Sequence, residues 1–188
     1  MGAGYLPRGA SRHTVIVRVA HWVNAGAFFG LVVSGVAILL AHPRLYWGET
    51  GAVGAPSLID LPLPFLLTGQ SGWGRSLHFL SAWVAVLNGL VYIAGVRQGV
   101  LRGYDGPQRW AYAAVIFFLF PLMIWTGFAL SPAITSVIPA LVTSLGGQQS
   151  ARTIHFFAAD ALALFFAGHV VMVSVTGFRK NMRGMVTG

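Results

Sequence analysis

Two histidines, His155 and His169, stand 14 residues apart in the apolar stretch ARTIHFFAADALALFFAGHVVMVSVTG, residues 151–177. At about 100° and about 1.5 Å per residue, that spacing closes four turns to within about 40° and sets the rings about 21 Å apart along one helix face. The stretch is long enough to cross a bilayer. Imidazoles leaving one face, one near each side of a membrane, have the layout for two haems stacked across it. The plainer reading makes them hydrogen-bonding groups between helices, or puts one of them on a proton path. Polar groups inside a membrane are costly and usually functional, which favours ligation for the pair. Two histidines alone do not make a haem site, so other helices have to supply partners.

The elements that would supply them follow from composition. The chain has 188 residues, 56% of them hydrophobic and 9% charged, which is far from a soluble domain. Its apolar runs are continuous rather than alternating, so they predict helices and not barrel strands. The sequence therefore predicts an all-α integral membrane protein, one domain over residues 1–188, with spans at about 15–40, 74–96, 109–130 and 151–177. Residues 1–14 resemble the basic start of a signal peptide, but the run that follows is too long and lacks a small-x-small cleavage site, so a retained first helix is expected. Cysteine is absent, which excludes disulfides, cysteine-ligated clusters and covalently attached haem. Any haem is then non-covalent and held by histidine or methionine. Met123 and Met172 lie in spans, where methionine is ordinarily packing.

Charge distribution orients the spans. Arg8, Arg12, Arg18, Arg97, Arg102, Arg109, Arg179, Lys180 and Arg183 fall on one side of four spans, and only Arg44, Arg75 and Arg152 on the other. The positive-inside rule then places both termini in the cytoplasm. The +8 net charge follows this topology and is not a nucleic-acid signature. Between the first two spans, Leu58–Leu67 is apolar but proline-broken and too short to cross, which suits a segment lying in the interface. His42, beside Pro43, reads as a loop or interfacial residue, with ligation as the other option. Pro121 should kink the third span.

With that topology the histidines sort by depth into His21 with His169 on the cytoplasmic side and His78 with His155 on the opposite side. Each pair draws on different helices at a common height, as axial ligation of a haem iron by two imidazoles requires. His169 lies deeper from its nearest arginine than His21 does, a mismatch that tilt would absorb. Arginine precedes three of the four at i−3, as Arg18, Arg75 and Arg152. Those positions share a helix face one turn nearer the surface. They suit haem propionates, or they are the ordinary snorkelling cations of helix ends. Gly35 lies 14 residues after His21, at the depth of the second haem, where a missing side chain makes room for the ring; close helix packing is the alternative. Asp160, the lone acid inside a span, points away from both histidines of its helix and suits a structural or subunit contact, with proton handling as the other reading.

Arg18-x-x-His21-Trp22, Ser34-Gly35, Gly74-Arg75-x-x-His78-Phe79, Thr126-Gly127-x-x-x-Ser131-Pro132, Ser150-Ala151-Arg152-Thr153-x-His155-Phe156, His169 and the closing Thr176-Gly177-x-x-x-Asn181-Met182-x-x-Met185-x-Thr187-Gly188 together resemble the bacterial cytochrome b561 family. More narrowly, they are similar to the cytochrome b subunits of thiosulfate reductase, formate dehydrogenase and nickel–iron hydrogenase. The resemblance implies four transmembrane helices holding two b-type haems, with ligands from the first, second and fourth. Carried over, these are His21, His78, His155 and His169. It also implies a protein of the bacterial inner membrane that passes electrons between a quinone pool and a periplasmic redox subunit or cytochrome, often a molybdenum oxidoreductase. Two other readings stay open: a solitary di-haem oxidoreductase acting on superoxide or quinone, and a non-haem transporter in which histidines and Asp160 relay protons.

Overall fold

The computed structural model describes residues 14–51, 55–63, 71–95 and 106–187. Arg8, Arg12, His13, Arg97 and Arg102 lie outside the described residues, as does the second half of the Leu58–Leu67 segment.

Helix α1 spans Val15–Ala41 and starts at Thr14, whose hydroxyl accepts the Val17 N–H. After it, β1 (Arg44–Leu45) pairs antiparallel with β2 (Ile59–Asp60), and Arg44 donates to the Asp60 carboxylate at 3.0 Å. Part of the stretch expected to lie flat in the interface is thus a strand folded back on the end of α1. Helix α2 follows over Ser71–Gly95. The third apolar run is built in three pieces: α3 (Gly106–Ala114), a π-helical turn (Val115–Leu119) and α4 (Phe120–Ala129). Pro121 explains the π turn. Its ring cannot sit against the carbonyl four residues back, and widening the preceding turn, with the Phe120 N–H reaching Val115 O, relieves that clash. Short turns α5 (Pro132–Thr135) and α6 (Ala140–Thr143) lead to α7 (Gln148–Val175) and the terminal α8 (Phe178–Val186). Helices α2 and α7 each begin three residues ahead of the sequence-based bounds. Among the described residues, four stretches are long and apolar enough to cross a membrane: Val15–Ala41, Gly72–Ile93, Gln108–Ala129 and Gln148–Val175.

The spans pack as two pairs, α1 with α2 and α4 with α7. In the first pair small residues set the approach: Gly30 lies directly against Ser81, and a Cβ on Gly74 would meet that of Ala37 at 3.3 Å. Asn88 donates to the Ala20 carbonyl at 2.7 Å, a polar tie between the same two helices. Ring contacts join the two pairs, among them Phe28 on Phe166 with centroids 4.8 Å apart and Trp83 on Phe128 at 6.2 Å.

Each end of the bundle is fastened differently. At one end the segment after α1 clamps the start of α7. Gly48 accepts from Gln149 N–H at 2.9 Å and donates to Ser150 Oγ at 2.8 Å, while Thr153 donates to Tyr46 O at 2.7 Å. A Gly48 carbonyl thus caps amide groups that a helix start leaves without partners. Gly147, at φ +115°, lets the chain turn into α7 directly against the Gly48 backbone. Gly147→Ala combines a conformation unsuited to a side chain with a collision against main chain. It is expected to cost about 3 kcal/mol, read as a lowered melting temperature in detergent. Gly26→Ala, with open space around the added methyl, should leave that temperature nearly unchanged. At the other end Trp22 Nε1 donates to Met185 O at 3.1 Å, docking α8 beside the start of α1 with Arg179, Lys180 and Arg183 exposed. Such a short basic amphipathic helix suits a membrane surface.

Candidate functional site

Histidines from three long helices meet two by two. His21 on α1 faces His169 on α7 with ring centroids 6.3 Å apart, and His78 on α2 faces His155 on α7 at 6.1 Å. Since His155 and His169 share α7, the pairs stand at two levels about 21 Å apart along it. The depth mismatch expected for His21 and His169 is absent from the geometry, because α7 ends at Val175 and its nearest arginine belongs to α8 beyond the Gly177 turn. Distance from the nearest cation is a poor ruler of depth when a turn intervenes.

Hydroxyls meet Nδ1 on three of the four rings. His78 Nδ1 lies 3.0 Å from Ser34 Oγ, His155 Nδ1 2.8 Å from Thr126 Oγ1, and His169 Nδ1 3.1 Å from Tyr112 Oη. Phe165 stacks on His169 with centroids 6.5 Å apart, and Trp22 meets His21 edge-on at 5.5 Å. Glycines flank the second level: a Cβ on Gly35 would sit 3.8 Å from His78 Cε1, and one on Gly127 3.7 Å from His155 Cε1.

The arginines divide. Arg18 carries a buried Nη1 with no hydrogen-bond partner among the described residues. Arg152 donates to the His42 main-chain carbonyl, and Arg75 is exposed. His42 itself belongs to neither ring pair. Partial burial and the nearby Arg152 and Arg75 charges hold its imidazole below the ordinary histidine range, so it stays neutral at neutral pH. Asp160 is exposed on the outside of α7, turned from both pairs. Met123 and Met172 are half-buried packing residues.

These residues fit a haem. Metal–imidazole bonds of about 2 Å place two rings that share one axial metal with centroids about 6 Å apart, which is the spacing both pairs already have. Among the described residues no group of three or more histidine, aspartate or glutamate side chains converges on a bare ion. A pair of imidazoles is the complement of a porphyrin, which brings the four in-plane nitrogens itself. Hydroxyls on Nδ1 leave Nε2 for the metal, the usual arrangement of a ligating histidine. The orphaned Arg18 nitrogen suits a propionate carboxylate. Sequence reasoning missed Tyr112 altogether and saw Ser34 and Thr126 only as parts of motifs. A hydroxyl residue immediately before a glycine, at the depth of a histidine on the next long helix, is the signal that would have found the latter two.

A sequence model of prokaryotic cytochrome b561 matches residues 12–188. The chain is also similar to the putative protein-methionine-sulfoxide reductase subunit YedZ1 of Azospira oryzae, at 26% identity over 206 residues, covering 94% of this chain and 96% of the relative. No solved structure matches the chain.

Proposed function

The chain belongs to the prokaryotic cytochrome b561 family, and on that premise we propose that it is a two-haem conduit carrying electrons between quinone and a periplasmic redox subunit. That it is a multi-pass electron-transfer protein of the bacterial inner membrane follows from the family and its four apolar spans. The observation that carries the finer reading is the pair of facing imidazoles at each of two levels. One level serves each leaflet. His21 and His169 hold the cytoplasmic-side haem b, and His78 and His155 the periplasmic-side one.

Haem supplies the one-electron couple; the chain supplies everything that sets where and how easily the electron rests. Four imidazoles hold the irons. Arg18, Arg75 and Arg152 serve the propionates or the polar boundary near them, and Gly35 keeps ring space open. The surrounding apolar spans lower the dielectric and keep water from the buried levels. Both termini and α8 face the cytoplasm, so the clamp of residues 42–49 on α7 lies at the periplasmic end, nearest any partner. The Azospira oryzae relative is named as a reductase subunit, which favours a subunit role over a solitary enzyme. A molybdenum oxidoreductase is a suitable partner class.

The purified protein should show b-type absorption bands that a quinol reduces and that reoxidise on adding a periplasmic redox subunit. Sustained turnover of superoxide or quinone without any partner would favour the solitary enzyme. A protein with no b-type bands even when expressed with haem in excess would overturn the haem reading and leave the non-haem transporter.

A further inference from the structure

We infer that Ser34 and Thr126 are positioning residues, each fixing its histidine in the Nδ1–H form so that Nε2 is presented as a strong axial donor. This rests on reading His78 and His155 as haem ligands.

Both hydroxyl side chains are fully buried. A hydroxyl has one hydrogen to give. Ser34 gives its hydrogen to the Gly30 carbonyl at 2.6 Å, with Leu31 O at 3.2 Å; Thr126 gives its own to Leu122 O at 2.8 Å, with Met123 O at 3.2 Å. What remains toward the imidazoles, at 3.0 Å and 2.8 Å, is lone pair. Nδ1 must therefore be the donor in both contacts, and in a neutral ring that leaves Nε2 unprotonated. Serine and threonine in membrane helices often bond back to their own helix and nothing more. Here a third partner on another helix uses the same oxygen.

The construction occurs twice on separate helices. Ser34-Gly35 on α1 addresses His78 on α2, and Thr126-Gly127 on α4 addresses His155 on α7. In each, the hydroxyl holds Nδ1 and the following glycine stands beside Cε1. One arrangement thus orients both imidazoles of a single level, from opposite helix pairs. A donated Nδ1–H raises ligand basicity and favours the ferric state.

Removing either hydroxyl should then shift the ferric–ferrous balance of that haem toward ferrous by between about two- and tenfold, a tenfold change being about 59 mV for one electron. The test is a redox titration followed by absorbance on the purified, haem-loaded full chain. Thr126→Val keeps the shape and loses the hydroxyl, while Thr126→Ser keeps the hydroxyl; Ser34→Ala and Ser34→Thr form the matching set. One midpoint should rise in the Val and Ala variants and return in the Ser and Thr variants, with the other midpoint unmoved. Haem loss confined to the hydroxyl-free variants also supports the assignment. Unchanged midpoints in both hydroxyl-free variants overturn it, as does haem loss shared by the hydroxyl-bearing ones. Failure of the underlying ligand reading shows separately, as a His155→Ala protein that keeps both haems.

Discussion

His78→Ala and His155→Ala are each expected to halve the haem content of the purified protein, from two per chain to one. The rings face each other at 6.1 Å, so both variants empty the same level. The other level uses a different pair of imidazoles, His21 and His169, and should keep its haem and spectrum. The double variant should therefore look like either single variant, because residues that act as a unit are not additive. Haem content is read by reduced-minus-oxidised absorbance against protein concentration. Loss of both haems in a single variant would mean that the levels are not independent.

The second large effect is steric. Gly35→Leu and Gly127→Leu place branched side chains beside His78 and His155, where even a Cβ would already be in van der Waals contact with the ring. A leucine extends past that contact into the space beside the imidazole plane. Each variant is expected to lower occupancy of the His78–His155 level by about tenfold or more, equivalent to about 1.4 kcal/mol of crowding, which is within the usual cost of overpacking. Gly35→Ala and Gly127→Ala should retain most haem, since a methyl at 3.8 Å or 3.7 Å is tolerated. Haem content of the four variants, measured beside thermal stability of the protein, separates crowding of the level from failure to fold. Full occupancy in both leucine variants would show that the glycines serve helix packing alone.

The helices themselves were legible because lipid thickness and a helical period leave little freedom. Fourteen residues between His155 and His169 fix both a face and a separation, whatever the loops do. The same arithmetic puts Gly35 at the level of His78, and the two lie in contact range. What was not legible depends on chain paths that periodicity does not carry. Tyr112 reaches His169 across two helices, and nothing about a tyrosine in an apolar run announces a ring nitrogen as its partner. The clamp of Tyr46 and Gly48 on α7 requires knowing where a glycine- and proline-rich connection folds. Pro121 was readable as a disturbance, but its resolution as a π turn depends on the turn before it. Arginine spacing was equally readable, yet the three occurrences differ in use: Arg18 has a buried Nη1 with no partner among the described residues, Arg152 holds a main-chain carbonyl, and Arg75 is exposed.

The most direct measurement is electron paramagnetic resonance of the oxidised protein, with the low-spin ferric signals integrated against polypeptide. Facing imidazoles at two depths require two bis-histidine centres per chain, one vanishing with His78 or His155 and the other with His21 or His169. A single centre per chain, or signals that survive those changes and disappear instead with His13 or His42, would contradict it.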